Sequence, residues 1–337
     1  MMKAKIKAIS YYLPEKVLAN PEINELFPEW SIDKISGKTG IYNRHISDDD
    51  EFSSDMAVKV AEKLFEEHQI DRKHIDFILL CTQSPDYLLP TTACIVQNKL
   101  GIPTSCGALD FNLGCSGFVY GLGLAKGLIY GNIATNILLI TAEIYTKFIH
   151  PQDKSNRTIF GDAASATLIT LNDGFAEIGD FDLGTDGRGA ENLMIKKGGA
   201  KFPGINIQEE DVLDEFGNVT NPAKLYMNGA EIFSFTSAAV PELIKNVLSK
   251  NNLQPDDISL YIFHQANKYM LNHLRKKIQI EEEKFYYFLE DCGNTVSSTI
   301  PIALTEAKKE DKLMGNILLA GFGVGYSWAG CILRINE

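Results

Sequence analysis

The chain of 337 residues is 45% apolar and 23% charged, enough to bury a sizeable core in one large domain or two medium ones. A formal net charge of −12 excludes nucleic acid as the main partner, because phosphate binding needs clustered lysine and arginine. The apolar runs, such as Ile75 to Cys81, are far shorter than the ~20 residues a membrane span needs, so a cytoplasmic protein without a membrane span is expected.

In chain order, "MMKAKIKAISYYLPE" alternates like a strand, and "IDFILLCTQ" from Ile75 reads as a buried one. "DFNLGCSGFVYGLGLAKGL" from Asp110 runs from a strand through a tight glycine turn into a glycine- and alanine-rich helix, with Cys115 at its mouth. "NILLITAE" from Asn136 and "ASATLITL" continue as strands, and "LNDGFA" at 171–176 is a turn signal. From about Gly184 to Lys224 the chain is polar and aperiodic, an irregular excursion placed to line a substrate entrance. "NGAEIFSFTSAAVPELIKNVLSK" follows as a long helix that Pro241 is expected to kink or break. Then the earlier order returns as "ISLYIFHQA", "FLEDCGNTVSS", "NILLAGFG" and "SWAGCILRI", with matching markers about 180 residues apart. This repetition predicts two similar βα halves, 1–173 and 174–337, built on a largely parallel sheet buried on both faces.

Ligand sites in such sheets lie beyond the carboxyl ends of the strands. A pseudo-twofold relation would carry Cys115, Asn294 of "CGNTVSSTIP" and His264 of "FHQAN" into one pocket there. Taken singly, each has a structural reading: a small core thiol, a helix N-cap and a satisfied core histidine. The functional reading of Cys115 is a thiolate nucleophile, since a helix start offers free N–H groups and a partial positive charge that lower a thiol pKa and can hold an oxyanion. Gly114 and Gly117 read as clearance for the incoming substrate. The loop "GFGVGYSW", Gly321 to Trp328, reads either as a tight turn or as the source of a further N–H for a reacting oxygen. Neither a Walker loop nor a dinucleotide fingerprint occurs.

The six cysteines, at 81, 94, 106, 115, 292 and 331, show no ligand spacing with the six histidines, so no metal is expected and most read as reduced buried thiols. His45, His68, His74, His150 and His273 are assigned no role. The basic run in "NKYMLNHLRKKI", with Lys268, Arg275, Lys276 and Lys277, reads as a solvated helix face or as a pocket rim for an acidic partner.

"DFNLGCSGFVYGL", "FHQAN", "GNTVSSTIPIAL" and "GFGVGYSW", together with "YLPEKVLAN", "KTGIYNRHI", "TQSPDYLLPTTACIVQNKLG" and "IFGDAASATL", resemble the motifs of the β-ketoacyl-ACP synthase III family over nearly the whole chain. The resemblance implies the thiolase fold, α/β, with two pseudo-symmetric halves packed as a five-layer αβαβα sandwich. It implies that Cys115 takes an acyl group from acyl-CoA. A malonyl thioester, usually malonyl-ACP, then loses CO2 and condenses with the acyl-cysteine, while His264 and Asn294 donate hydrogen bonds to the malonyl thioester oxygen. The N–H groups of Cys115 and Val324 would form the oxyanion hole. Trp30, Lys38, Arg157, Asn267, Lys268, Lys276 and Lys277 stand as coenzyme A or acyl carrier protein contacts, and Leu88 and Leu89 as acyl-pocket residues presented across a homodimer. No cofactor is implied beyond the two thioester substrates. Three positions depart from the family pattern: Lys38 and Tyr269 stand where arginine is usual, and Val324 where glycine is common. An acyltransferase acting on an amine or alcohol, and a non-catalytic acyl-binding partner subunit, are the competing readings.

Overall fold

The computed structural model describes residues 2–203, 209–214 and 217–336. Nine strands form one hydrogen-bonded sheet: β1 (Ala4–Tyr12), β2 (Phe77–Cys81), β3 (Gly107–Phe111), β4 (Asn136–Glu143), β5 (Ala163–Leu171), β6 (Ala176–Thr185), β7 (Ile258–Phe263), β8 (Asn316–Gly323) and β9 (Ser327–Ile335). Their order is β7-β8-β9-β6-β1-β5-β4-β2-β3. Six longer helices accompany them: α1 (Ser53–His68), α2 (Thr92–Leu100), α3 (Gly117–Tyr130), α4 (Gly229–Lys250), α5 (Lys268–Ile278) and α6 (Thr299–Lys309).

The order divides at β1 and β6, which share only the pairs Lys5–Glu177 and Ile6–Ala176. Outward from that seam the first half runs β1-β5-β4-β2-β3 and the second β6-β9-β8-β7, with matching directions at each step. Where β3 would have its counterpart, the second half has a single parallel bridge from Tyr261 to Phe285. The sheet is mixed rather than largely parallel: β2–β3, β2–β4 and β7–β8 run parallel and the other five ladders antiparallel. β9 returns beside β8 through residues 324–326 alone, a connection that only an antiparallel partner allows, and β5 returns antiparallel beside β4 after the longer stretch 144–162.

Strand periodicity sorts the side chains into layers. In β2 and β4, Ile78, Leu80, Leu138 and Ile140 face the cluster under α1 and α2, whereas Leu79, Ile137 and Leu139 face a central cluster. In β7 and β8, Ile262, Ile317 and Leu319 join that same central cluster, while Tyr261, Phe263 and Leu318 face α4 and α5. The middle is filled by α3 and α6, which bring Phe118, Leu122, Ile300 and Leu304. A helix between two sheets must be apolar all round, and α6 accordingly buries every residue from Thr299 to Thr305. Pro301 sits in its first turn, where a missing N–H costs nothing. The layers are therefore α1/α2, first sheet half, α3/α6, second sheet half, α4/α5. Helix α4 continues through Pro241 without a break, started by Asn228, whose side chain accepts from the Glu231 N–H at 3.2 Å. Among the described residues, the excursion before α4 holds a 3-10 turn, Gly187–Asn192, and two-residue strand pairs, Leu193–Met194 with Tyr226–Met227 and Val212–Leu213 with Val219–Thr220. Residues 204–208 and 215–216 lie outside the described part.

Candidate active site

Each functional side chain stands just past the carboxyl end of a strand or its counterpart. Cys115 follows β3, His264 follows β7, Val324 follows β8, and Asn294 follows the Phe285 bridge. Cys115, His264 and Asn294 are only 7%, 2% and 5% exposed, so any reaction there is screened from bulk water.

Contacts link them into one site. A Cβ on Gly323 would lie 2.9 Å from both Cβ and Sγ of Cys115, so β8 can pass over the thiol only because that position is glycine. A Cβ on Gly114 would meet Val324 Cγ1 at 2.8 Å and Val296 Cγ1 at 3.3 Å, which puts the cysteine turn against both the Val324 loop and the Asn294 segment. The Val296 N–H donates to Asn294 Oδ1 at 2.9 Å. With its oxygen occupied, the Asn294 carboxamide has its NH2 left to donate. The Thr299 hydroxyl lies 2.8 Å from His264 Nδ1 and 3.1 Å from the Val296 carbonyl; when it gives its hydrogen to the nearer Nδ1, the one proton of the neutral ring sits on Nε2, the nitrogen left to donate to a ligand. Val296 is buried and holds φ +56°, a conformation that a β-branched residue adopts only under constraint. It is the hub from which both donors are oriented.

The electrostatics depart from what the helix start suggests. Burial, followed by the nearby Glu143, pushes the Cys115 thiol up to about 12, against the lowering effect of the Cys115 and Val324 amides. The amides are in place, but in the resting site desolvation outweighs them, so the nucleophile is stored as a thiol. Burial also pulls His264 down to about 3, leaving a neutral imidazole. Glu143 at the end of β4 is fully buried and is pushed up to about 8, mainly by desolvation. Its oxygens accept from the Ser297 hydroxyl at 2.7 Å and the Gln83 N–H at 3.0 Å.

Other expectations are modified. Gly117 faces the Cys81 sulfur and Gly114 also faces the Gln83 Oε1, so packing demands these glycines, and Gly323 is the one that borders the reactive sulfur. Cys81, Cys292 and Cys331 are buried free thiols, but Cys94 is exposed and Cys106 half-buried. Trp30 packs on the small cluster of Ile23, Phe27 and Ile35 and carries the Lys34 ammonium 5.2 Å from its ring centroid. Lys38 is exposed on the helix Ile32–Thr39, whose C-cap Gly40 abuts the Lys268 stem at the start of α5. Asn267 caps α5 by accepting from the Met270 N–H at 2.9 Å. Arg157 ends a short helix after Asp153, and its buried Nε has no hydrogen-bond partner. Trp30, Lys38, Asn267 and Lys268 thus lie on or beside the helix Ile32–Thr39 and the start of α5, which meet at Gly40 and Lys268. Lys276 and Lys277 occupy the last turn of α5, about 12 Å further along its axis. Leu88 and Leu89 are 87% and 81% exposed, on the loop before α2.

Sequence reasoning passed over Glu143, Thr299 and the hydroxyls of Ser116 and Ser327. The only available signal was a carboxylate at the end of an apolar strand, in "NILLITAE", a place where desolvation is certain to matter.

Two family descriptions match the chain, 3-oxoacyl-[acyl-carrier-protein] synthase III over residues 109–187 and its C-terminal part over residues 248–335. The β-ketoacyl-[acyl-carrier-protein] synthase III of Clostridium perfringens strain 13 is 35% identical, with 99% of this chain and 100% of that protein covered. The chain belongs to the β-ketoacyl-ACP synthase III family. A crystal structure of a 3-oxoacyl-(acyl-carrier-protein) synthase III superposes with a TM-score of 0.96 at 48% identity, covering 99% of this chain and 100% of the other. The 3-oxoacyl-(acyl-carrier-protein) synthase of Burkholderia xenovorans LB400 gives 0.90 at 33% identity, with coverage of 100% and 95%. The five layers are thus the thiolase fold of the synthase III family, an acyltransferase class, and no helix among the described residues is long and apolar enough to cross a membrane.

Proposed function

We propose that this synthase III family member joins an acyl group to a malonyl thioester with loss of CO2. The observation that carries the reading is a buried thiol beside two backbone amides, linked through Gly114, Val296 and Thr299 to a neutral imidazole and to a carboxamide whose oxygen is already bound. In the first stage Cys115 sulfur bonds to the acyl carbon of acyl-CoA, the bond from that carbon to the carrier sulfur breaks, and the thiol proton leaves with the carrier. The amides of Cys115 and Val324 hold the oxyanion on the way. In the second stage a malonyl thioester, carried by acyl carrier protein, loses CO2. The resulting enolate is held by His264 and Asn294 and forms a C–C bond to the acyl carbon, which releases Cys115 and yields a 3-oxoacyl thioester. Two neutral donors aimed at one oxygen favour the enolate without a metal or organic cofactor.

The placing of Trp30, Lys38, Asn267 and Lys268 on or beside the helix Ile32–Thr39 and the start of α5 supports carriage of the coenzyme A and carrier-protein arms, with Arg157 as a further phosphate contact. Lys276 and Lys277 extend the basic face of α5 toward an acidic carrier protein. Leu88 and Leu89, exposed in one chain, fit a role in a homodimer where each covers its neighbour's acyl pocket. Residues 1–173 and 174–337 act as the thiol-bearing and donor-bearing halves, in a cytoplasmic enzyme.

The test is intact-protein mass spectrometry after incubation with acyl-CoA, followed by addition of malonyl-ACP and measurement of CO2. An acyl adduct on Cys115 that discharges with CO2 release is expected. An adduct that discharges to an amine or alcohol without CO2 would mark a simple acyltransferase, and acyl-CoA binding with no adduct would mark a silent binding subunit.

A further inference from the structure

Beside the nucleophile two buried hydroxyls form a directed chain. The Ser116 and Ser327 oxygens are 2.7 Å apart, and the Ser327 oxygen lies 2.9 Å from the Val324 carbonyl. Both distances fall within the normal O–H···O range. A carbonyl can only accept, so the single hydroxyl hydrogen of Ser327 goes to Val324, and Ser327 must accept from Ser116. With both bonds made, the chain runs in one direction: Ser116 to Ser327 to Val324. The two serines are 0% and 3% exposed, so no water competes for either hydrogen.

This chain ties the residue next to Cys115 to the loop that carries the Val324 amide, across 211 positions of sequence. That loop needs a tie. Gly325 takes φ +136°, open only to glycine, so the backbone beyond Val324 has little conformational preference of its own. On the other side of Val324, Gly323 lies against the thiol. Fixing the Val324 carbonyl from the nucleophile's own turn makes the amide and the sulfur move as one unit, which is what preorganised stabilisation of an oxyanion requires.

We propose that Ser116 and Ser327 are positioning residues for acyl transfer, acting through Val324 to hold its N–H on the carbonyl oxygen attacked by Cys115. The inference rests on the two-stage reading above. It predicts a split between partial reactions, because the oxyanion amides serve acyl transfer while decarboxylation of the malonyl thioester depends on His264 and Asn294.

The experiment uses the full-length protein and its S116A, S327A, S327T and double-alanine variants. Two rates are followed: acylation of Cys115 by acyl-CoA, from intact mass, and CO2 release from malonyl-ACP without an acyl donor. S327A is expected to lower the acylation rate about tenfold with little change in KM, a fraction of the about 10²–10³ lost when an oxyanion donor is removed outright. S116A should cost less, the double variant no more than S327A alone, S327T should restore the rate, and CO2 release should change less than twofold in each. Equal loss of both partial reactions, additive costs, or an S327A acylation rate like the wild type would overturn the proposal. Absence of any adduct in the unsubstituted protein would instead overturn the two-stage reading, so the two failures are distinguishable.

Discussion

At the strand-to-helix turn of the first half, Cys115 follows a five-residue strand and lies two residues before α3. At the equivalent turn of the second half, Asn294 follows a lone bridge and a left-handed Gly293, and a left-handed Val296 opening a 3-10 turn separates it from α6, which begins at Thr299. The regular turn brings N–H groups to a sulfur. The irregular one uses backbone strain to bind the oxygen of one side chain and to set a hydroxyl beside His264, leaving two donors facing outward. One topological position thus serves a nucleophile when the backbone is relaxed and a donor pair when it is constrained, and the functions separate because the geometries do.

Removing the sulfur should break the comparison most severely. C115A is expected to abolish the acyl adduct and to lower condensation on the order of 10³-fold or more, read by intact mass and product formation. Turnover surviving in C115A would mean that the first turn is not the nucleophile's.

The second turn is tested by a variant that keeps its backbone. N294D retains an oxygen for the Val296 N–H but exchanges the NH2 donor for a second acceptor. CO2 release from malonyl-ACP should fall about 10²–10³-fold, with H264A producing a loss of the same order, while Cys115 acylation stays within a few fold. Acylation falling as far as decarboxylation would erase the division of labour.

A backbone variant sharpens the contrast in stability. Gly293 has φ +69°, and a Cβ there would lie 2.7 Å from the Ile159 carbonyl oxygen. G293A should destabilise by about 1–3 kcal/mol and lower Tm. G37A, in the helix Ile32–Thr39 where a Cβ meets nothing within 4 Å, should stabilise by about 0.5–1 kcal/mol.

These outcomes bear on what could be read from the residues alone. The strand sequence was legible because Ile78 to Cys81 and Ile137 to Ile140 are apolar on both faces, and a five-layer protein leaves no other place for such runs. The repeat placed Cys115, His264 and Asn294 on neighbouring turns. Strand direction was not legible, since it depends on how β5 and β9 return. Nor was the state of the thiol, because it is set by the burial of Cys115 and by the nearby Glu143 carboxyl, which only the folded chain brings together. The Ser116–Ser327 pair spans most of the chain and has no periodic signature.

The mildest prediction concerns Glu143, which accepts hydrogen bonds from Gln83 of the first half and Ser297 of the second. Its ordinary value is 4.5 and burial raises it to about 8. Between those values the unfolded chain has lost a proton that the folded chain keeps, so the Glu143 contribution to stability falls as pH rises from about 4.5 to about 8. His264 acts in the opposite sense: held near 3 against an ordinary 6.5, it stays neutral while the unfolded chain takes up a proton, so its contribution falls as pH drops through that window. E143Q keeps an oxygen for the Gln83 N–H and offers an N–H to the Ser297 oxygen, where the protonated acid can offer its O–H. Its Tm should therefore exceed that of the wild type near pH 8, with the gap closing toward pH 5. The same substitution removes a negative charge that opposes thiolate formation at Cys115, so the iodoacetamide reaction profile of Cys115 should move to lower pH. An unmoved profile would mean that desolvation alone sets the thiol, and that the carboxyl joins the two halves without reaching the nucleophile.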